Sequence, residues 1–431
     1  MKIHILGVAG TMTAPLAVEL KRLGHEISGS DQEKIYPPFS YLLKRAKIPI
    51  NLTPISPQLD LCIIGSSFKS FSQTRQEYQQ ILSQKIPYIS ATKYLAQNIG
   101  KKNTVLVAGS FGKTTITSLL VWIFNQARLN PSYMFGGTSL NRLPSLKMSS
   151  SEWSIIEADE SINGLDKQAK FLIYPVKYLL ITSANWEHKE SYQTEADNQL
   201  AFQKLIKRIP KNGFIVYNPQ DQHLSSLISG AKCPIIPYNF DLKFKTRLPG
   251  DYNDQNITAV YTLCQKLGLA NHLIQKGIQS YKGIARRLQL LKVCQEIHFY
   301  DDFSQSVNRL KPTINTIKNL HPQKPIKVFY EPHASFTQHP DFVTELTNAF
   351  EDTAEIVLSQ INYNLNLTNK TTAKDFKTAI GNKLLYLPLS KDIYNHYITT
   401  LQPQDILIHF SSGGLEGLKT FKKVIGHFSK H

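Results

Sequence analysis

Cysteine is scarce in this 431-residue chain. Its four cysteines, Cys62, Cys233, Cys264 and Cys294, lie far apart. They form neither a metal-ligand spacing nor a disulfide framework, which excludes a zinc ribbon and a stapled secreted scaffold. Apolar neighbours, as in Leu61-Cys62-Ile63, predict buried thiols. Acidic residues are also few, 32 against 49 lysines and arginines, so the formal net charge is +17. Such a charge permits a nucleic-acid partner. The basic runs are short, however, as in Lys101-Lys102 and Lys422-Lys423, and no aromatic-interleaved basic stripe accompanies them. A positive surface suits phosphate-bearing substrates equally, and no nucleic acid is expected. No apolar run reaches the roughly 18–20 residues of a membrane span. The amino terminus opens directly on the strand-like Ile3-His4-Ile5-Leu6, without a charged-then-apolar leader, so a cytoplasmic location is expected. No solenoid-period repeat is found.

What is present is a folded-protein composition, 42% hydrophobic and 19% charged, at a length that predicts about three domains. One stretch dominates. Val105-Leu106-Val107-Ala108 is a β-branched run, Gly109-Ser110-Phe111-Gly112 is a glycine turn, and Lys113-Thr114-Thr115 opens a helix-like segment. A strand, a glycine turn and a helix start make a phosphate cradle, because backbone N–H groups and the helix dipole both face an anion. Lys113 can reach a β/γ-phosphate and the Thr114 hydroxyl can bind Mg²⁺. A strict P-loop has about four residues between its first glycine and Gly-Lys. Here Gly109 and Gly112 are separated by two.

Other landmarks bracket this turn. Ile3–Gly7 reads as a buried strand followed by Gly10-Thr11-Met12 and a helix to about Leu23. The next strand ends in Ser30-Asp31, which predicts a Rossmann-like start without the full dinucleotide fingerprint. A third strand near Leu61–Gly65 is followed by Ser66-Ser67. Trp153–Glu160 is a strand ending in Glu157, Asp159 and Glu160; alone these acids fit capping and solvated charge, but beside a phosphate cradle they suit a hard cation. Tyr178–Thr182 is another strand, with His188 just past it. Phe202–Pro210 reads as an amphipathic helix stopped by proline. Asn253 and Asn256, three apart, either cap the helix Ile257–Leu267 or read an adenine edge, and spacing favours capping. Four strands near 297–300, 326–330, 354–358 and 405–410 predict a third α/β unit.

Taken together, these motifs resemble the Mur ligase family. Ala108–Thr115 is similar to its shortened phosphate loop, and Glu157-Ala158-Asp159-Glu160 to the strand end of its muramate-ligating branches. Glu187-His188, Gly250–Asn256, Gly283–Leu288 and Tyr300–Phe303 fall in the family's order. The resemblance implies an α/β protein of three domains. These are a UDP-sugar-binding Rossmann-like domain at 1–100, a central P-loop ATPase-like domain at 101–280 and a C-terminal Rossmann-like domain at 281–431. It implies an ATP- and Mg²⁺-dependent ligase that joins the carboxylate of UDP-N-acetylmuramate to an amine through an acyl phosphate, as a monomer. Two branches are near: one adds L-alanine, the other the tripeptide L-alanyl-γ-D-glutamyl-meso-diaminopimelate. Gly29-Ser30-Asp31 with Tyr36-Pro37-Pro38, and Asp166–Phe171, resemble the tripeptide branch more.

The implied site has Lys113, Glu157 and His188 as catalytic residues. Gly109, Ser110, Gly112, Lys113, Thr114, Thr115, Asn256 and Arg287 would hold ATP. Thr114, Glu157 and His188 would hold metal, and Gly10, Thr11, Met12, Ser30, Asp31 and Ser67 the UDP moiety. Two departures stand out. Asp301-Asp302-Phe303 continues without the family's two histidines, and Glu331-Pro332-His333 replaces Glu-Pro-Arg. These bear on the amine donor and on turnover. They support an alternative, a Mur-ligase-like protein that binds nucleotide or UDP-sugar without ligating.

Overall fold

The protein's structure is a computed structural model. It describes residues 1–33, 35, 38–51, 55–66, 68–186, 191–332, 340–361, 371–411 and 415–430. The chain divides into two compact units, one of residues 1–248 and 252–284, the other of 249–251 and 285–431.

The first unit holds two main sheets. In the first, β1 (Lys2–Leu6), β2 (Glu26–Ser30), β3 (Leu61–Ile64) and β4 (Tyr88–Ser90) run parallel in the order β2-β1-β3-β4. Helices α1 (Thr13–Arg22), α2 (Phe39–Arg45), α3 (Ser72–Ser83) and α4 (Ala91–Ile99) follow its strands. Ile3, Ile5 and Ile63 are fully or almost fully buried, as a parallel strand covered on both faces requires.

The second sheet contains β5 (Asn103–Ala108), β6 (Ser132–Met134), β7 (Leu146–Lys147) and β8 (Trp153–Glu157). A small antiparallel hairpin, β9 (Ile162–Asn163) with β10 (Gln168–Ala169), precedes its remaining strands β11 (Tyr178–Ile181), β12 (Phe214–Tyr217) and β13 (Ile235–Pro237). The order is β13-β12-β11-β5-β8-β6-β7, parallel except for β7. Helices α5 (Lys113–Gln126), α6 (Glu195–Lys207), α7 (Gln222–Leu227), α8 (Asp251–Lys266) and α9 (Asn271–Ser280) cover it. The strand β5 is central, so the ends of β8 and β11 flank whatever follows Ala108.

These two sheets share one apolar core. Ile3, Ile5 and Leu16 pack in the same cluster as Leu106, Ile156, Leu179 and Phe202. Polar bonds also join them. The buried Glu19 carboxylate accepts the Met148 N–H at 2.7 Å and two bonds from Arg22. Asn163 donates to the Thr92 hydroxyl at 3.1 Å, and Asp166 pairs with Lys93 at 2.7 Å. The other face of the central sheet packs against α5, α8 and α9.

Two helices differ from the sequence expectation. The helix expected from Phe202 begins at Glu195, where a Thr194–Asp197 capping box satisfies its first N–H groups. The helix expected from Ile257 begins at Asp251, so Asn253 and Asn256 are interior residues and not caps.

The second unit is a six-stranded sheet in the order β14-β15-β19-β16-β17-β18. Its strands are β14 (Gln289–Cys294), β15 (Ile297–Asp302), β16 (Ile326–Glu331), β17 (Glu355–Leu358), β18 (Leu384–Tyr386) and β19 (Ile406–Ser411). Among the described strands of this sheet only β14 runs antiparallel to its neighbour. Helices α10 (Val307–Leu320), α11 (Pro340–Ala349), α12 (Ala373–Ile380), α13 (Ser390–Thr400) and α14 (Leu415–Phe428) complete the α/β layers.

Candidate active site

The turn between β5 and α5 is held open by two glycines. Gly109 has φ +118° and Gly112 φ +79°, conformations that residues with a Cβ rarely adopt. Space enforces the same choice. A Cβ on Gly109 would meet the Ser183 nitrogen at 2.9 Å, and one on Gly112 would run into the Asn256 amide. Behind the turn, Ile116, Leu119, Leu120, Ile123 and Phe124 of α5 are fully buried. Each contributes about 1.5–3 kcal/mol relative to exposure. The helix that presents the turn is thereby fixed.

Lys113 turns back over its own loop. Its ammonium donates to the Gly109 carbonyl at 2.6 Å and to Glu160 at 2.8 Å. Thr114 donates its hydroxyl to Glu157 at 2.7 Å, and the other Glu157 oxygen accepts the Gly136 N–H at 2.6 Å. On the opposite flank the end of β11 supports the turn. Thr182 donates to the Phe111 carbonyl, the Ser110 N–H donates to Ser183 Oγ, and the Ser110 hydroxyl donates to the Asn185 carbonyl. The strand order thus gathers a lysine, a hydroxyl and two carboxylates at one sheet edge, where ligands of open α/β sheets bind.

Sequence reasoning grouped Glu160 with Glu157 and Asp159 as acids suited to a cation and gave it no role of its own. Glu157 and Glu160 both lie on the same strand end, and only the fold shows that Glu157 faces Thr114 while Glu160 faces Lys113. Asp159 is used differently. It pairs with Lys170 at 2.7 Å and accepts both the N–H and hydroxyl of Ser161. Asn256, expected at the nucleotide, lies against Gly112, with its amide carbon 3.2 Å from where a Cβ would be. Thr115 is buried in the first turn of α5. His188 and Ser67 lie outside the described residues, as do Glu187, Tyr36, Pro37 and His333. Among the described residues no cluster of three or more His, Cys, Asp or Glu could hold a metal ion.

A second glycine turn follows β1. The Asp31 carboxylate accepts the Ala9 N–H at 2.7 Å, while Asn51 holds the Asp31 N–H. The Gly10 N–H donates to Thr13 Oγ1, which in turn donates to the Gly7 carbonyl. Thr11 is exposed and Met12 half-buried at the start of α1. Ser30 is fully buried. Its hydroxyl donates to Glu77 and contacts His4 Nε2, while Gly7 and Val8 both donate to its carbonyl. Burial pushes the His4 imidazole down to about 4.

Arg287 belongs to the second unit, where its guanidinium lies 5.7 Å from the Phe303 ring centre. Its neighbour Arg286 donates to Asp301 at 3.0 Å. Burial pushes the Asp301 carboxyl up, but the bonds to His409 and Arg286 outweigh it and leave it below its ordinary value. Asp302 is raised by burial, even though Arg287 and the Ser304 and Leu288 N–H groups oppose the shift.

Residues 2–103 match the model described as Mur ligase family, catalytic domain, and residues 107–262 match Mur ligase middle domain. The chain is 25% identical to a UDP-N-acetylmuramate–L-alanine ligase of Pelagibacter ubique, with 83% of each chain covered. It is 27% identical to the Escherichia coli UDP-N-acetylmuramate–L-alanyl-gamma-D-glutamyl-meso-2,6-diaminoheptandioate ligase, over 74% of this chain and 76% of that one. Among solved structures, a murein peptide ligase of Psychrobacter arcticus aligns with TM-score 0.73 at 21% identity, covering 100% of this chain and 99% of that one. A UDP-N-acetylmuramate-alanine ligase of Thermotoga maritima aligns with TM-score 0.78 at 18% identity and the same coverage.

Proposed function

This chain belongs to the Mur ligase family, and from that premise we propose that it joins the lactyl carboxylate of UDP-N-acetylmuramate to an amine at the expense of ATP. The amine is L-alanine or the tripeptide L-alanyl-γ-D-glutamyl-meso-diaminopimelate. The observation that carries this reading is the β5–α5 turn, with Lys113, Thr114, Glu157 and Glu160 converging on it.

A bare carboxylate is a poor acylating agent, so the γ-phosphate of ATP must first convert its oxygen into a leaving group. The sugar carboxylate attacks that phosphorus and ADP leaves. The amine then attacks the acyl carbon and inorganic phosphate leaves. The protein's share is positioning and charge neutralisation. Gly109, Ser110, Gly112 and Thr115 shape the cradle for the nucleotide, and Lys113 leaves Glu160 to meet the transferring phosphate. Asn256 would border the nucleotide where it touches Gly112, with Arg287 as a further phosphate contact. Gly10, Thr11, Met12, Ser30, Asp31 and Ser67 would receive the UDP group; Ser30, whose hydroxyl is committed to Glu77 and whose carbonyl accepts from Gly7 and Val8, would do so by holding the turn in shape.

The residues present fit a hard cation. The Thr114 hydroxyl and a Glu157 carboxylate oxygen are 2.7 Å apart, and both are oxygen ligands that would hold a Mg²⁺ ion. His188 would complete that set. Bound Mg²⁺ supplies neutralisation of phosphate charge. No described helix is long and apolar enough to cross a membrane. A monomer working in the cytoplasm, where its nucleotide substrates are made, fits these roles.

The test is phosphate release with ATP, Mg²⁺ and UDP-N-acetylmuramate, run in parallel with L-alanine and with the tripeptide. Release that depends on both the sugar and one amine is expected. ATP or UDP-sugar binding without any release would favour the non-ligating alternative, to which the histidine-free Ser304–Lys311 segment points.

A further inference from the structure

The roles above give Lys113, Thr114 and Glu157 work to do and leave Glu160 with none. Its side chain is 1% exposed, and it holds the Lys113 ammonium at 2.8 Å. An ammonium has three N–H donors. Lys113 spends one on Glu160 and one on the Gly109 carbonyl at 2.6 Å, so both bonds turn it back on its own loop.

The two partners differ in their freedom to move. The backbone around Glu160 is clamped: the Ala158 N–H donates to the Val107 carbonyl, the Phe171 N–H to Asp159 and the Lys170 N–H to Ser161. The Tyr192 hydroxyl donates to the carbonyl of Glu160 itself. Lys113 sits at the end of a flexible four-carbon stem. When the pair separates, the lysine therefore leaves and the carboxylate stays. A carboxylate left in that enclosure has neither water nor its counter-ion, and it draws the lysine back. It also repels any phosphate nearby. A neutral amide would hold Lys113 through the same bond without opposing a phosphate. The charge at Glu160 thus works against an occupied cradle, while the glycines and the helix start of the same turn work for one.

We propose that Glu160 is a positioning residue that acts as a return latch for Lys113. It keeps the ammonium back until the phosphates of a nucleotide outcompete it, and it reclaims the ammonium after transfer, so that ADP leaves. The inference rests on the ligase reading above. No covalent bond changes in this step; the ammonium exchanges a carboxylate oxygen for a phosphate oxygen and returns. The γ-phosphate tips the exchange one way. Once it has passed to the sugar carboxylate, ADP presents one phosphate fewer, and the exchange tips back to Glu160.

The experiment is a calorimetric titration of the full-length protein with ADP and with AMP, both in Mg²⁺. Glu160→Gln keeps the length of the side chain and an acceptor for Lys113 but removes the charge. It should lower the ADP dissociation constant by about tenfold or more, the scale of one close charge pair. Added ADP should then inhibit turnover at a correspondingly lower concentration. AMP has no β-phosphate for Lys113 to reach, so its affinity should rise far less. A purely structural role moves ADP the other way, because losing a buried ion pair loosens the turn. Unchanged or weaker ADP binding overturns the latch, and so does an equal gain for AMP. Glu160→Asp keeps the charge and draws it back by one methylene. It should tighten ADP by a smaller factor, and it decides alone should Glu160→Gln fail to fold; no gain there overturns the latch. ADP binding by neither the wild type nor a variant would instead sink the ligase reading, and the latch with it.

Discussion

Lys113 pairs with Glu160 while Glu157 pairs with Thr114, and variants of Lys113 and Glu157 should separate the jobs proposed for them. Lys113→Ala removes the cation proposed to meet the transferring phosphate. Its turnover should fall by about 10²-fold or more, and the melting temperature should fall as well, because the buried Glu160 carboxylate loses its partner. ATP-dependent amide formation at the wild-type rate would remove Lys113 from the chemistry. Glu157→Gln and His188→Ala should each shift the Mg²⁺ dependence to higher concentration while saturating Mg²⁺ recovers much of the rate. A Mg²⁺ titration superimposable on the wild type would take the residue out of the metal site. The residue types and their order were readable in the chain, because a phosphate cradle needs its glycines, lysine and threonine in sequence. Which carboxylate serves which partner was not. Glu157 and Glu160 are three apart on one strand end, and their partners Thr114 and Lys113 are neighbours, so only the backbone path decides the pairing.

At the scale of elements, two turns carry testable strain and charge. Gly112→Ala places a Cβ at φ +79° against Asn256. It should lower stability by about 1–2 kcal/mol and weaken nucleotide binding together; calorimetry and nucleotide titration would measure both. Under the first glycine turn, His4 is buried and its imidazole is pushed down to about 4. In the unfolded chain it titrates near its ordinary value of 6.5. As pH falls below that value the unfolded state binds a proton that the folded state refuses. Stability is therefore lost progressively from about pH 6.5 down to about 4, by at most about 3 kcal/mol. His4→Asn should flatten that part of a stability-against-pH curve. An unchanged slope would mean that Ser30 and Glu77 relax to accept the charged ring. Strands β1, β5, β8, β11, β15, β16 and β19 were legible from continuous apolar runs. The helices α6 and α8 began earlier than read, because polar residues at their starts hide the 3.6-residue period.

At the scale of the whole chain, the division runs elsewhere than between every pair of sheets. The first and central sheets share a core and three polar bridges, and the C-terminal sheet has a core of its own. Leu106 and Leu407 are each fully buried in one of these cores. Leu→Ala at either site should cost about 2–5 kcal/mol. Leu106→Ala should lower the melting of the first two sheets as one transition, and Leu407→Ala that of the C-terminal unit alone. Hydrogen exchange in which the first sheet opens independently of the central one would refute the shared core. The excess of basic residues suits a protein whose substrates carry several phosphates each.

The amino-acid sequence by itself determined the α/β layers, the two glycine turns, the lysine and threonine that open α5, and the family. All of these rest on interactions within a few residues of chain, so spacing and residue type suffice. Only the tertiary structure decided that Asn256 borders Gly112, that Glu160 takes Lys113, and that His409 meets Asp301. Those meetings join residues from 47 to 144 positions apart. Strand order sets them, and strand order follows from how whole helices and sheets bury their apolar faces, which no local pattern encodes.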